Sequence, residues 1–304
     1  MLDYSALRVL HALVQTGSFE KAALVLNVTP SAVSQRIRQL EERLGTALVV
    51  RGTPCTATEK GERLCRHMEN VGILETELFG SLPSLAQGVE ERQKTTLRIA
   101  TNADSLGTWF LDAAAAFTKT SDYLLDISVD DQEHTAEWLQ QGKVIAAVTS
   151  VEKPISGCRR FSLGALRYSA TASPDFLARH FPEGVTPEAL SAAPSLTFNQ
   201  KDRLQREWAR HALGQDVVMP THWLPSTQGF VDASLLGMGW GMNPVNLVRD
   251  HLAEGRLVEL IPGKRLDIHL YWQINRLAAD RLTSLTRAMI ETAAEALVQP
   301  RDGD

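Results

Sequence analysis

Residues 29 to 38, TPSAVSQRIR, set hydroxyl, amide and guanidinium groups close together in Ser31, Ser34, Gln35 and Arg38, directly after Thr29 and Pro30. These are the donor and acceptor types that DNA base edges require. The plainer alternative is the solvated outer face of an ordinary three-helix bundle, since surface helices generally carry a polar side. The flanking residues decide between the two.

Thr29 is a good N-cap, and Pro30 falls at the first helical position, where its missing N–H is not needed and its fixed φ favours the helix. Within that helix Val33, Ile37, Leu40 and Leu44 follow a +4, +3, +4 spacing and face inward, leaving Ser31, Ser34, Gln35 and Arg38 outside. Two shorter helices precede it. One starts at Asp3, presents Leu7, Leu10 and Val14 on one face and ends at Gly17; the next is capped by Ser18, buries Ala22, Ala23 and Leu26 and stops at Asn27. After the third helix the spacing predicts a strand over Leu48 to Val50, a turn containing Gly52 and Pro54, and a strand returning to Thr58. This is a wing, with Arg51 and Thr53 at its tip against the phosphate backbone or minor groove. Helix, helix, turn, helix and β-wing in that order predict a winged helix-turn-helix over 1–57 with its third helix in the major groove.

Charge supports a division of labour. Residues 1–66 hold nine basic and six acidic side chains, a net of +3, whereas the whole chain of 304 residues stands at -5. A basic head on an acidic body fits a head that meets an anion the body does not. The length predicts two or three domains, and 44% hydrophobic with 22% charged residues predicts a soluble globular protein. The first residues lack a secretory pattern, no apolar run is long enough to span a bilayer, and Cys55, Cys65 and Cys158 are too few and odd in number for a disulfide framework. A cytoplasmic protein with no membrane partner is the expectation.

The segment FEKAALVLNVTPSAVSQRIRQLEERLGTALVVR, followed by TATEKGERL, resembles the LysR-type transcriptional regulators. One departure is Pro30, where the family often has Gln, so a polar base contact there is lost or replaced by contact with a thymine methyl. The chain can run as one long helix from Thr58 to about Leu82, with Leu64, Met68, Val71, Leu78 and Leu82 in a narrow stripe suited to pairing with a copy of itself. The resemblance implies that this linker, 58–93 with a hinge near Pro83 and Gly88, dimerises. A homodimer would match a palindromic site, dimers could pair into tetramers, and RNA polymerase is a further partner to consider.

Beyond the hinge, strand and helix alternate, which predicts an α/β body with a parallel sheet. A first lobe is expected over 94–163 and 267–304, and a second over 164–266. A small ligand would bind in the cleft at the strand C-termini. That two-lobed effector domain over 94–304 resembles periplasmic binding proteins. NADSLGTWFL, VDDQEHTAEWLQQGKVIAAVTS, FPEGVTPEAL and LYWQ resemble the ArgP (IciA)/LysG subgroup, whose members sense lysine or arginine and control export of basic amino acids.

A basic amino acid needs donors for its α-carboxylate and carboxylates for its cationic groups. Strand ends supply both: Asn102, Asp104 and Ser105 after the first strand, Asp130 and Asp131 after the second, Phe198 and Asn199 after SLTF, and Ser226 and Thr227 opening a helix. Ser105, Ser226 and Thr227 are expected to face the carboxylate, with Asp104, Asp130 or Asp131 facing the amines. Helix capping is the alternative role for each Asp and Ser. Asn199 stands where some subgroup members have Asp, which bears on lysine against arginine.

Other patterns point nowhere. Asp126 to Glu137 matches several calcium-loop positions but has Asp131 where the turn needs Gly. Gly237, Gly239 and Gly241 lack dinucleotide spacing, and the eight histidines have no zinc-site spacing. No cofactor, metal or catalytic triad is expected. A small-molecule-binding protein or enzyme with a borrowed two-lobed body, and an architectural nucleoid protein, remain the alternatives.

Overall fold

Helix α1 (Tyr4–Thr16) begins where Asp3 accepts hydrogen bonds from the Ser5 and Ala6 amides, both at 3.1 Å, and ends at Gly17, whose φ of 66° lies in the left-handed region. Ser18 caps α2 (Phe19–Val25), and Asn27 makes the tight turn with φ 52°. Thr29 caps α3 (Pro30–Leu44) through the Ala32 amide at 3.2 Å, with Pro30 in the first turn as its chemistry favours. A two-stranded ribbon follows, β1 (Val49–Val50) against β2 (Thr56–Ala57), and then α4 (Glu59–Ser81). The computed structural model describes residues 2–82, 94–129 and 132–300. It divides into two compact units, Met1–Leu97 and Arg98–Asp304.

Leu7, Leu10, Leu13, Ala22, Val33, Ile37, Leu40 and Leu48 form the core of the first unit. Leu44, expected to face inward, is 38% exposed, because the core ends with Leu40 and the chain turns away at Gly45. Two devices lock the ribbon to the helices. Glu41 of α3 accepts the Leu48 and Val49 amides at 2.8 and 3.3 Å, and Thr58 donates to the Ala47 carbonyl at 2.9 Å while capping α4 at Gly61. A Cβ at Gly61 would overlap the Leu48 carbonyl, so close approach of backbone to backbone requires glycine there.

The expected dimerisation stripe splits along α4. Met68 is buried in the core of its own unit and Leu64 packs against it, since their side of the helix meets α1. Val71 is half-buried, and Leu74, Leu78 and Leu82 are exposed. The expected hinge at Pro83 and Gly88 lies outside the described residues.

In the second unit β3 (Thr96–Thr101) leads through Asn102 into α5 (Ala103–Ser105), a π-helical turn (Leu106–Phe110) and α6 (Leu111–Thr118). Then come β4 (Leu124–Val129), α7 (Gln132–Gln140), β5 (Ala146–Thr149), the long β6 (Cys158–Ala172), α8 (Pro174–His180), α9 (Pro187–Ala192) and β7 (Ser195–Thr197). The chain continues through α10 (Leu204–Leu213), β8 (Thr221–Trp223), α11 (Thr227–Leu235), β9 (Gly241–Pro244), α12 (Val245–Ala253) and β10 (Val258–Glu259). It returns along β11 (Arg265–Asn275) to α13 (Arg276–Ala279) and α14 (Thr283–Ala296).

The main sheet has the order β10-β6-β11-β5-β3-β4, with β9 also on β6. It is mixed, not the parallel sheet that alternation predicts. β3 and β5 are parallel, as are β7 and β8 in a separate pair, but β6 and β11 run antiparallel for eleven paired positions, Arg265↔Ser169 to Asn275↔Cys158. The reason is connectivity: the chain leaves the first half of this unit along β6 and comes back beside it along β11, so these two strands must oppose. β5 is buried at every position, as a central strand covered on both faces should be. Trp272 of β11 is fully buried, and its indole N–H donates to Thr286 of α14 at 3.2 Å. The C-terminal ends of β3, β5 and β7 open onto one pocket.

Candidate functional site

The first unit presents its polar groups outward. Thr29, Pro30, Ser31, Gln35 and Arg38 are exposed on α3, and Ser34 is half-buried. The Thr29 and Ser31 hydroxyls lie 3.0 Å apart at the helix start. Thr29 therefore has a capping role as well as an exposed position. Arg51 and Thr53 are exposed in the loop joining β1 to β2, and the Cys55 amide fixes that loop's base by donating to the Gly17 carbonyl at 2.7 Å.

Ion pairing sorts the basic side chains of this unit. Arg8 reaches Glu75, Arg43 reaches Asp3, Arg63 reaches Glu59 and Arg66 reaches Glu62. Arg36, Arg38 and Arg51 form no ion pair with a described residue and remain exposed, so their charge is directed at solvent. Arg36 was not among the residues expected from the sequence. It sits beside the expected contacts on α3, and its type and exposure are the signals that point to it.

In the second unit the pocket has a volume of about 250 Å³. Small-molecule sites generally occupy ~300–1,000 Å³, so this one suits a single small metabolite. It brings together Asn102 and Asp104 after β3, Ser150 after β5, Phe198 and Asn199 after β7, Asp202, Lys201, Arg203 and Glu207 around the start of α10, and Thr227 on α11. Phe230, Met242, Pro244 and Ile268 add an apolar wall.

Asp104 is held at both carboxylate oxygens. The Tyr168 hydroxyl donates to Oδ2 at 2.7 Å and the Thr227 hydroxyl to Oδ1 at 2.6 Å. Removal of its carboxyl from water pushes its pKa up, the two hydroxyl donors pull it down, and the neighbouring Asp202 charge raises it again. Asp202 is itself held by backbone: Oδ2 accepts from the Phe198 amide and Oδ1 from the Leu204 amide, each at 3.0 Å. Asn102 is buried, and its Oδ1 has no hydrogen-bond partner among the described residues, an acceptor left open beside the pocket.

Other expected residues fall elsewhere. Ser105 is fully buried, does not line the pocket, and its hydroxyl has no partner among the described residues. Ser226 is exposed, and its hydroxyl accepts the Gly229 amide at 3.1 Å, so it caps α11 and does not face the pocket. The reasons differ: Ser105 follows Asp104 within a helix, where about 100° per residue sends neighbours to different sides, whereas Ser226 is the extended N-cap of α11 and its hydroxyl turns back on the helix amide. Asn199 lines the pocket while its Oδ1 accepts the Lys201 and Asp202 amides at 2.8 and 3.1 Å, shaping the loop. Asp130 and Asp131 lie outside the described residues.

Asp202, Glu207, Lys201, Arg203 and Ser150 were missed. Ser150 stands at a strand end by the same rule that found Asp104. Asp202 and Glu207 stand around a helix start, where an acidic side chain is ordinarily read as a cap. No helix among the described residues is long and apolar enough to cross a membrane, and no cluster of metal-ligating side chains occurs among them.

Residues 4–62 match the model described as bacterial regulatory helix-turn-helix protein, lysR family, and residues 90–298 match the LysR substrate binding domain. The chain is 42% identical over 299 residues, 98% of both proteins, to the HTH-type transcriptional regulator ArgP of Pseudomonas aeruginosa. Among solved structures, the C-terminal domains of a LysR family protein from Agrobacterium tumefaciens are 68% identical, over 67% of this chain and 99% of that one, with a TM-score of 0.67. Full-length LysG from Corynebacterium glutamicum, solved with bound effector Arg, is 32% identical, over 98% of this chain and all of that one, with a TM-score of 0.66.

Proposed function

The chain belongs to the LysR family of bacterial transcriptional regulators, and from that premise we propose that its pocket takes a basic amino acid, lysine or arginine, whose binding changes how the head engages operator DNA. The observation that carries the effector reading is the placement of two carboxylates, Asp104 and Asp202, on the wall of one pocket, where the charge of Asp202 adds to the burial that raises the Asp104 pKa. Two like charges on one partly dry wall favour a bound cation. Glu207 adds a third carboxylate, and Lys201 and Arg203 on the same wall supply cations for an α-carboxylate. Support also comes from the similar LysG protein solved with bound arginine.

In the head, residues 1–57 act as the DNA-binding domain. Pro30, Ser31, Ser34, Gln35 and Arg38 face base edges, and Arg51 and Thr53 face the backbone. The 58–93 segment pairs two copies, using the exposed Leu74, Leu78 and Leu82 of α4, and 94–304 forms the effector domain. The deciding experiment is a gel shift on upstream genomic DNA with and without lysine or arginine, paired with calorimetry on the same protein. A basic amino acid should give heat and alter the shift. Equal heats from charged and uncharged amino acids, or none, would remove the effector reading and leave the DNA reading standing.

A further inference from the structure

Tyr168 lies on β6, fully buried and outside the pocket wall. Its hydroxyl donates to Asp104 Oδ2 at 2.7 Å, a full-strength O–H···O bond. Thr227 holds the other oxygen, so the carboxylate is gripped at both ends by donors from two different elements, a strand and a helix. Each bond fixes the plane of the carboxylate and favours its anionic form. Against them stand burial and the charge of Asp202. The remaining charged groups of the pocket, Lys201, Arg203 and Glu207, stand around the start of α10; α11 contributes the neutral Thr227, and from β6 Tyr168 reaches Asp104 from behind the wall. Remove one hydroxyl and the balance shifts toward the protonated acid, which is a poor partner for an ammonium or guanidinium group.

We propose that Tyr168 is a positioning residue for cation selection: its hydroxyl holds the Asp104 carboxylate in place as an anionic acceptor facing the ligand, so that a cationic amino acid is preferred over a neutral one of the same shape. This rests on the basic amino-acid reading of the pocket. It adds a residue that never touches the ligand and sets which ligand is accepted. A linkage follows with a definite sign. A bound cation favours ionised Asp104, so affinity for lysine rises as pH climbs through the raised Asp104 pKa, and binding in that range releases protons.

The test uses the full chain and Tyr168→Phe, which keeps the ring and removes only the hydroxyl. Calorimetry with L-lysine, L-arginine and L-norleucine, the last lacking lysine's ammonium, is run from about pH 5 to 8. Tyr168→Phe should lose ~10-fold in affinity for lysine or arginine, leave norleucine within about 2-fold, and move the lysine pH midpoint upward. Equal losses for lysine and norleucine would reduce Tyr168 to a packing residue and overturn the proposal, as would an unchanged pH midpoint. Thr227→Val, which removes the opposite donor, should shift the midpoint in the same direction and serves if Tyr168→Phe does not fold. Wild-type protein that binds neither basic amino acid would defeat the effector reading itself. The Asp104 carboxyl is then followed by carbon-13 NMR without ligand, where a midpoint unmoved by either substitution overturns the proposal and an upward shift upholds it.

Discussion

On the head, the side chains offered to a partner stand within one helix and one short loop, all exposed but the half-buried Ser34. In the pocket, those offered to a ligand come from segments a hundred residues apart, and its two central carboxylates are tied down before any ligand arrives: Asp104 by Tyr168 and Thr227, Asp202 by two backbone amides. The first plan suits a rigid, repetitive polyanion that many weak contacts can read, so each side chain contributes modestly. The second suits a small molecule that must be recognised by few groups, each fixed and partly desolvated. Substitutions should therefore act differently in the two places: through scaffold and additive contacts in the head, through single decisive groups in the pocket.

The largest effect should come from the scaffold of the head. Gly61→Ala drives a methyl group into the Leu48 carbonyl, where backbone faces backbone and neither can yield cheaply. We expect a loss of about 3 kcal/mol in the stability of that unit and with it operator binding, while calorimetry still finds the pocket intact. Unaltered melting and DNA binding would show that α4 and the ribbon are not locked as described.

Next comes a single group in the pocket. Asp202→Asn removes the charge and, because both oxygens accept backbone amides, one of those two bonds as well; affinity for a basic amino acid should fall by ~2 kcal/mol, about 30-fold. Removing that charge also lowers the Asp104 pKa, so the residual affinity should extend to lower pH than in the wild type. A loss shared equally by an uncharged amino acid would instead mean that Asp202 only shapes the loop.

Single base-reading residues should cost less overall and show a different signature. Ser34→Ala or Gln35→Ala should change preference at one or two base pairs by about 1–2 kcal/mol and leave other positions alone, as measured by selection from randomised operators. A uniform loss across sequences would place these side chains on phosphates.

The same contrast explains what the chain reveals before it is folded. The head is local: Thr29, Pro30 and the Val33, Ile37, Leu40 spacing define a helix within a dozen residues, and the outer face follows by subtraction. Leu44 misled because periodicity does not say where a core ends. The pocket is non-local. The strand-end rule located Asp104, Phe198, Asn199 and Thr227 on its wall, yet Ser226 and Ser105, one residue away from true lining positions, point elsewhere. Tyr168 could not be found in this way, since a buried tyrosine in a strand looks like core until the carboxylate it serves is brought to it from sixty-four residues away. The antiparallel run of β6 beside β11 that carries Tyr168 also depends on the chain's return path, which alternation of strand and helix does not encode.

The smallest expected effect is the one that tests the exposed plan most directly. Arg51 stands in the wing loop without an ion-pair partner among the described residues, so its charge is uncompensated in the free protein and costs nothing to redirect toward a phosphate. Arg51→Ala should weaken binding by less than about 1 kcal/mol on every DNA sequence alike and reduce the slope of log affinity against log salt by ~1, the release of one counterion. Arg63→Ala is the matched control, because that side chain is already engaged with Glu59 at 2.9 Å, and its removal should leave the slope where it was. If both variants moved the slope equally, ion pairing within the head would not govern which cations meet DNA, and the wing would have no privileged role in contacting the backbone.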